Sequence, residues 1–128
     1  MTKIQLPDLD GLLDLTDKIA EVQLDLYVSK RSKEVLQAEI TREVTSNSKY
    51  WVNGKPPSMA LVKSDYILLG YDDETAQELI SLDEQIGEGE SELKRLNSTL
   101  MIERDKIAIW RTYSANSRGA LDFTEQGL

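Results

Sequence analysis

The stretch LISLDEQIGEGESELKRLNSTLMIERDKIAIW, residues 79–110, decides the fold. Taken at alternating three- and four-residue steps it reads Leu79, Leu82, Ile86, Gly89, Leu93, Leu96, Leu100, Glu103, Ile107 and Trp110. Eight of these ten positions are apolar, the pattern of a helix with a coiled-coil-like seam. Asp72 suits the N-cap, with Asp73 and Glu74 at the positive end of the helix dipole. Gly119 suits the stop, so a long helix is predicted over about 73–118, followed by a loose tail over 120–128.

A second seam lies upstream. Leu12, Leu15, Ile19, Val22 and Leu26 keep the same spacing, and Leu36 and Ile40 rejoin it. This predicts a long helix over about 8–46, opened by Pro7 and Asp8. Its register places Ser29 and Lys33 on the apolar seam, while Leu24, Val28 and Val35 form another row. Between the long helices, residues 47–57 read as a loop. Asn53-Gly54 favours a tight turn there, and Pro56-Pro57 forbid regular continuation. Ser58 then caps a short helix over about 59–69, stopped by Gly70.

Charge sets the orientation. The formal net charge of −8 is distributed in blocks: −4 over residues 1–28, +4 over 29–63, −10 over 64–93, +4 over 94–119 and −2 in the tail. Antiparallel packing of the long helices, with position i facing roughly 122 − i, sets each acidic block beside a basic one. Parallel packing would set acid beside acid. The predicted fold is therefore all-α, a single domain built as a long antiparallel helical hairpin with a short connecting helix. Two long helices have no enclosed core, so the leftover apolar residues Leu24, Val28, Val35, Ile80, Met101 and Ile109 need a further surface. Association of copies into a helical bundle or ring is the expected answer. Leu24, Val28, Val35, Gly87, Gly89, Met101 and Ile109 are its expected interface. Gly87 and Gly89 each cost a helix about 1 kcal/mol relative to alanine. Either they are a tolerated weak point or they allow a neighbouring helix to approach closely.

The composition bears on chemistry. The chain holds neither cysteine nor histidine, which removes disulfides, thiol nucleophiles and the usual general base and metal ligand. Asp83, Glu84, Glu88, Glu90 and Glu92 read as a solvated helix face rather than a metal or acid–base site. No nucleophile elbow or phosphate-binding glycine loop is present. The expectation is a non-enzyme without cofactor or metal. No apolar run approaches the roughly 18 residues of a membrane span, and Met1-Thr2-Lys3-Ile4 lacks a signal-peptide core. A cytoplasmic protein is expected, in the host cytoplasm if the chain is viral.

Binding residues remain. Lys30-Arg31-Ser32-Lys33 is basic but has the acidic second helix as an available partner. Lys49, Tyr50, Trp51, Lys55, Lys63 and Tyr66 interleave cations with aromatic rings, a combination that tracks a single strand's phosphates while stacking its bases. The competing reading is that Tyr50 and Trp51 pack over the end of the hairpin. Arg111 and Arg118, seven residues apart, share a helix face and can pair with the acidic start of the first helix.

The layout also resembles a known family. The long first helix, the Lys/Gly/Pro loop, the short helix, the acid-started second helix and the closing Ser117-Arg118-Gly119 after Trp110 look like the small recombination-mediator proteins of T4-type bacteriophages. The resemblance spans about residues 20–120. It implies a homo-oligomeric helical ring that binds single-stranded DNA and assists recombinase loading while displacing single-strand-binding protein. On that view Lys49, Trp51, Lys55 and Lys63 contact DNA, and Arg111 and Arg118 bear on DNA or on subunit contacts. The alternative is an oligomeric structural or assembly protein, a scaffold or adaptor, that binds no nucleic acid.

Overall fold

The computed structural model describes the backbone of residues 9–127 and the side chains of residues 9–117. The helix start expected at Pro7 and Asp8, and the side chain of Arg118, lie outside the described residues. Helix α1 is Leu9–Ser46. Helix α2 begins at Met59–Leu61 and continues as a π-helical segment, Val62–Ile67. Helix α3 is Asp73–Gly127. Helix α1 packs against α3 as in a hairpin, and the described residues contain no strand. The chain divides into two compact units, Val22–Glu92 and Met1–Glu21 with Leu93–Leu128.

In the first of these units the front seam of α1 is Val22, Leu26, Ser29, Lys33, Leu36 and Ile40, all buried or half-buried. Leu36 and Ile40 join Leu79 in the core, with Tyr66, Tyr71 and Leu82 packed against it. Lys33 reaches Asp83 at 2.6 Å, Lys30 reaches Glu90 at 3.3 Å, and Ser29 Oγ donates to Gln85 Oε1 at 3.4 Å. Basic α1 therefore lies beside acidic α3, as the charge blocks predict. Such exposed pairs contribute about 0.2–1 kcal/mol each and act mainly on orientation.

The register differs from expectation. Leu26 lies against Gly89, and Lys33 against Asp83, where positions 96 and 89 were expected. The displacement is about two helical turns. Its cause is the connector, which folds back along the end of α1 instead of closing beyond it. Tyr50 and Tyr71 stack edge to face at 5.7 Å, and Val44 and Val62 are fully buried. As a result the first turns of α3 stand beside Ile40 rather than beside Ser48.

Two further expectations are corrected. The short helix is only briefly α-helical, since from Val62 it widens into π geometry. Its ends are as expected. The Ser58 hydroxyl accepts from the Leu61 N–H at 3.3 Å, and Gly70 closes the segment at φ +77° with its N–H donating to the Tyr66 carbonyl at 2.8 Å. Helix α3 runs through Gly119 to Gly127, where a stop and a loose tail were expected. One glycine weakens a helix by about 1 kcal/mol, and the good helix formers Ala120 and Leu121 follow it directly.

In the second unit, Ile19 and Leu96 are the buried seam residues, flanked by half-buried Leu12, Leu15, Leu93, Leu100, Ile107 and Trp110. Glu103, the polar interruption of this seam, is half-buried and is held by Lys106 at 3.0 Å one turn on.

The two mid-helix glycines now separate. A Cβ at Gly87 would meet nothing within 4 Å, whereas one at Gly89 would stand 3.1 Å from Leu26 Cδ1. The close approach at Gly89 serves α1 of the same chain. Gly87→Ala is expected to stabilise the fold by about 0.5–1 kcal/mol. Gly89→Val is expected to destabilise it by roughly 1–3 kcal/mol through overpacking. Thermal unfolding followed by circular dichroism reads both, and equal effects at the two sites would refute the assignment.

Candidate functional site

The connector begins where α1 ends. Asn47 Oδ1 accepts from the Lys49 N–H at 3.0 Å and opens the short 3-10 turn Ser48–Tyr50. Trp51 follows, its indole N–H donating to the Thr45 carbonyl at 3.1 Å and so satisfying one free carbonyl of the last α1 turn. Val52 and Lys55 then exchange two backbone hydrogen bonds around Asn53 at φ 53° and Gly54 at φ 75°. Two successive positive φ values are the signature of a type I′ turn, the conformation Asn-Gly favours.

These bonds decide what each expected nucleic-acid residue is free to do. Tyr50 is half-buried, with its ring 5.7 Å from both Tyr66 and Tyr71. Lys49 Nζ lies 5.6 Å over the Tyr50 ring. This tyrosine is thus held within the packing that closes the hairpin end. Trp51 is tethered at its indole nitrogen but remains 38% exposed. Lys55, at the turn, and Lys63, on the π segment, are exposed. Arg111 is exposed on α3 within the other unit. The cluster Lys30-Arg31-Ser32-Lys33 is engaged in ion pairs, Arg31 with Glu34 at 3.1 Å and the two lysines with α3.

The tyrosine cluster sits on the cap of α3, which the sequence shows only in part. Asp72 is the expected N-cap: its Oδ1 accepts from the Thr75 N–H at 2.8 Å and from the Thr75 hydroxyl at 2.8 Å. The Thr75 oxygen in turn accepts from the N–H groups of Tyr71 at 3.0 Å and Asp72 at 3.2 Å. This is a capping box with buried threonine in the place glutamate usually takes. The backbone and hydroxyl bonds from Thr75, aided by Lys49, hold the Asp72 carboxyl below its ordinary pKa. Burial pushes the Tyr71 phenol above its ordinary value, and the charges of Asp72 and Glu43 add to the effect.

The expected interface residues are exposed, except Gly89, which is half-buried against Leu26 of the same chain. Leu24 is 62%, Val28 53%, Val35 45%, Met101 64% and Ile109 57% exposed, and Ile80 stands out at 49%. Tyr27, Ile102 and Tyr113 join them, as do Leu68 and Leu69 beside Gly70. No side-chain oxygen or nitrogen buried among the described residues lacks a partner. No group of three or more carboxylates among them is placed to hold a metal ion, and none of the described helices is long and apolar enough to cross a membrane.

The capping box predicts an acid limb to stability. With the Asp72 pKa lowered on folding, its contribution is present above 3.8 and is lost as pH falls through the lowered value. Asp72→Asn is expected to flatten that limb in denaturant titrations between about pH 5 and pH 2. The Tyr71 contribution has the opposite sense, present below pH 10.0 and lost as pH rises through the raised value. Tyr71→Phe is expected to remove it. An unchanged profile in Asp72→Asn would show that the cap does not contribute, and one in Tyr71→Phe that burial of the phenol does not.

No known protein family, curated protein or solved structure matches this chain.

Proposed function

We propose that the chain is a non-enzymatic, homo-oligomeric assembly protein, a scaffold or adaptor that acts through the outer faces of its two long helices. One observation carries this reading. Beyond the seam that joins α1 to α3, both helices present large apolar side chains to solvent: Leu24, Val28 and Val35 on α1, and Ile80, Met101, Ile102 and Ile109 on α3. Burying one such side chain fully contributes about 1.5–3 kcal/mol. Several in a row favour association with another helix.

Multi-angle light scattering at micromolar concentration tests this. The expected mass is an integer multiple, two or more, of 14.5 kDa. Replacing the apolar pair Met101 and Ile109 by lysine is expected to reduce it with helicity retained. A monomer of unchanged mass from 5 to 200 µM would overturn the proposal.

A second reading has its own support. Trp51, Lys55 and Lys63 are exposed on the connector, an aromatic face among cations suited to a single strand. This favours the accessory role in homologous recombination, with single-stranded DNA, a recombinase and single-strand-binding protein as partners. It predicts oligonucleotide binding that weakens steeply with salt and is lost in Lys55→Glu while the oligomer persists. The assembly reading predicts no oligonucleotide binding at any salt.

A further inference from the structure

The outer row of α1 has a symmetry of its own. In steps of four and three residues it reads Asp17, Glu21, Leu24, Val28, Arg31, Val35, Ala38 and Arg42. At about 100° per residue this row lies opposite the buried Leu26 and Ile40, and all eight side chains are exposed. The spacing is that of a coiled-coil seam sustained over nearly four heptads. Within one chain, however, α3 covers only the other side of α1. Read outward from its midpoint, the row pairs position 28 with 31, 24 with 35, 21 with 38 and 17 with 42.

We propose that this row is the contact between two copies of the chain, with their α1 helices antiparallel and in the register where positions i and j of the pair sum to 59. The inference rests on the oligomeric reading above and specifies its face, direction and register. In that arrangement Leu24 packs on the partner's Val35, and Glu21 stands over the partner's small Ala38. Val28 packs along the aliphatic stem of the partner's Arg31, whose charged end reaches water. At each end Asp17 meets the partner's Arg42. Every contact occurs twice, as a two-fold interface requires.

Charge excludes the parallel alternative. Parallel pairing in register would set Asp17, Glu21, Arg31 and Arg42 each against its own copy, four like-charge contacts on the seam itself. The antiparallel register replaces the terminal pairs with attraction and leaves the apolar residues together. A nucleic acid fits the row poorly, because its first two residues are acidic and Leu24, Val28 and Val35 make three of its four central positions aliphatic.

The absence of cysteine from the chain gives a clean test. Leu24→Cys and Val35→Cys variants, one carrying a size tag, are oxidised separately and as a mixture, and disulfide-linked species are read on a non-reducing gel. Both sites are exposed, so the fold is expected to survive, which circular dichroism checks. The expected result is a mixed-mass dimer, formed at least several-fold more in the mixture than either variant forms alone. Self-linking of Leu24→Cys at the level of the mixture would mean parallel pairing and overturn the proposal. Failure to link, in a protein that light scattering shows to be oligomeric, would place the interface on another face and overturn this inference while the assembly reading stands. A monomer would sink both. As an independent check, Arg42→Asp is expected to weaken self-association by roughly two- to five-fold, the measure of an exposed ion pair. Adding Asp17→Arg to the same chain is expected to restore it; the absence of restoration would contradict the register.

Discussion

The packing of one apolar seam of α1 against one of α3 is the constraint on which everything else depends. A helix alone in water is marginal and is stabilised chiefly by burying an apolar face. Here each face must find its partner along a length where every turn looks much like the next. The sequence resolves the ambiguity with interruptions. Gly89 leaves room that Leu26 fills, with its Cδ1 within 3.1 Å of where a Cβ would stand. Lys33, a seam position, is satisfied by Asp83. A slide of one turn would press Leu26 against a bulkier residue and strand the lysine. These polar and small seam residues give up some burial and in return fix the register, the best-attested use of such groups in helical pairs.

The connector completes that constraint from the other side. Tyr50, Tyr66 and Tyr71 meet edge to face, and Tyr71 is tied by its N–H to Thr75 in the cap of α3. The end of α1 is bound to the same group, since Trp51 holds the Thr45 carbonyl and Tyr50 follows the 3-10 turn. The end of one helix and the start of the other are thus joined through one aromatic cluster and one capping box. Aromatic residues that suggest base stacking in the sequence are here partly committed to architecture, which is why the outer helix faces carry the functional reading.

How much of this is legible in the sequence follows from which interactions are periodic. The seams of both helices, including Ser29 and Lys33 as members, can be read from three-four spacing because burial on a helix recurs with its turn. The antiparallel sense follows from charge blocks, which act over many residues. The Asn-Gly turn and the Gly70 stop are local conformational preferences. The two-turn displacement is not legible, because it depends on how far the connector folds back, and that is set by contacts between Tyr50, Tyr66 and Tyr71 far apart in the chain. The π widening after Leu61 left no mark in the spacing. The continuation of α3 past Gly119 is not legible either, because a glycine is a strong stop only where other signals agree with it. The exposed residues on the outer faces were legible by elimination, as apolar positions that neither seam uses.

On the proposed oligomeric reading, helix α1 answers two demands at once. Its front seam is apolar at both ends and polar at Ser29 and Lys33. Its outer row is apolar in the middle and charged at both ends. The two rows are offset: beside polar Ser29 and Lys33 of the front, the back carries Val28 and Val35 on either side of Arg31. A helix designed only to cover α3 would have no cause to carry Leu24, Val28 and Val35 on the opposite side, where they are 62%, 53% and 45% exposed. Isolated surface leucines and valines are ordinary, but a row at heptad spacing with acid at one end and base at the other is an ordered pattern. Within one chain α3 already uses the charge order along α1, through pairs such as Lys30 with Glu90, but it leaves the apolar middle of the outer row uncovered. The proposed partner helix covers that middle.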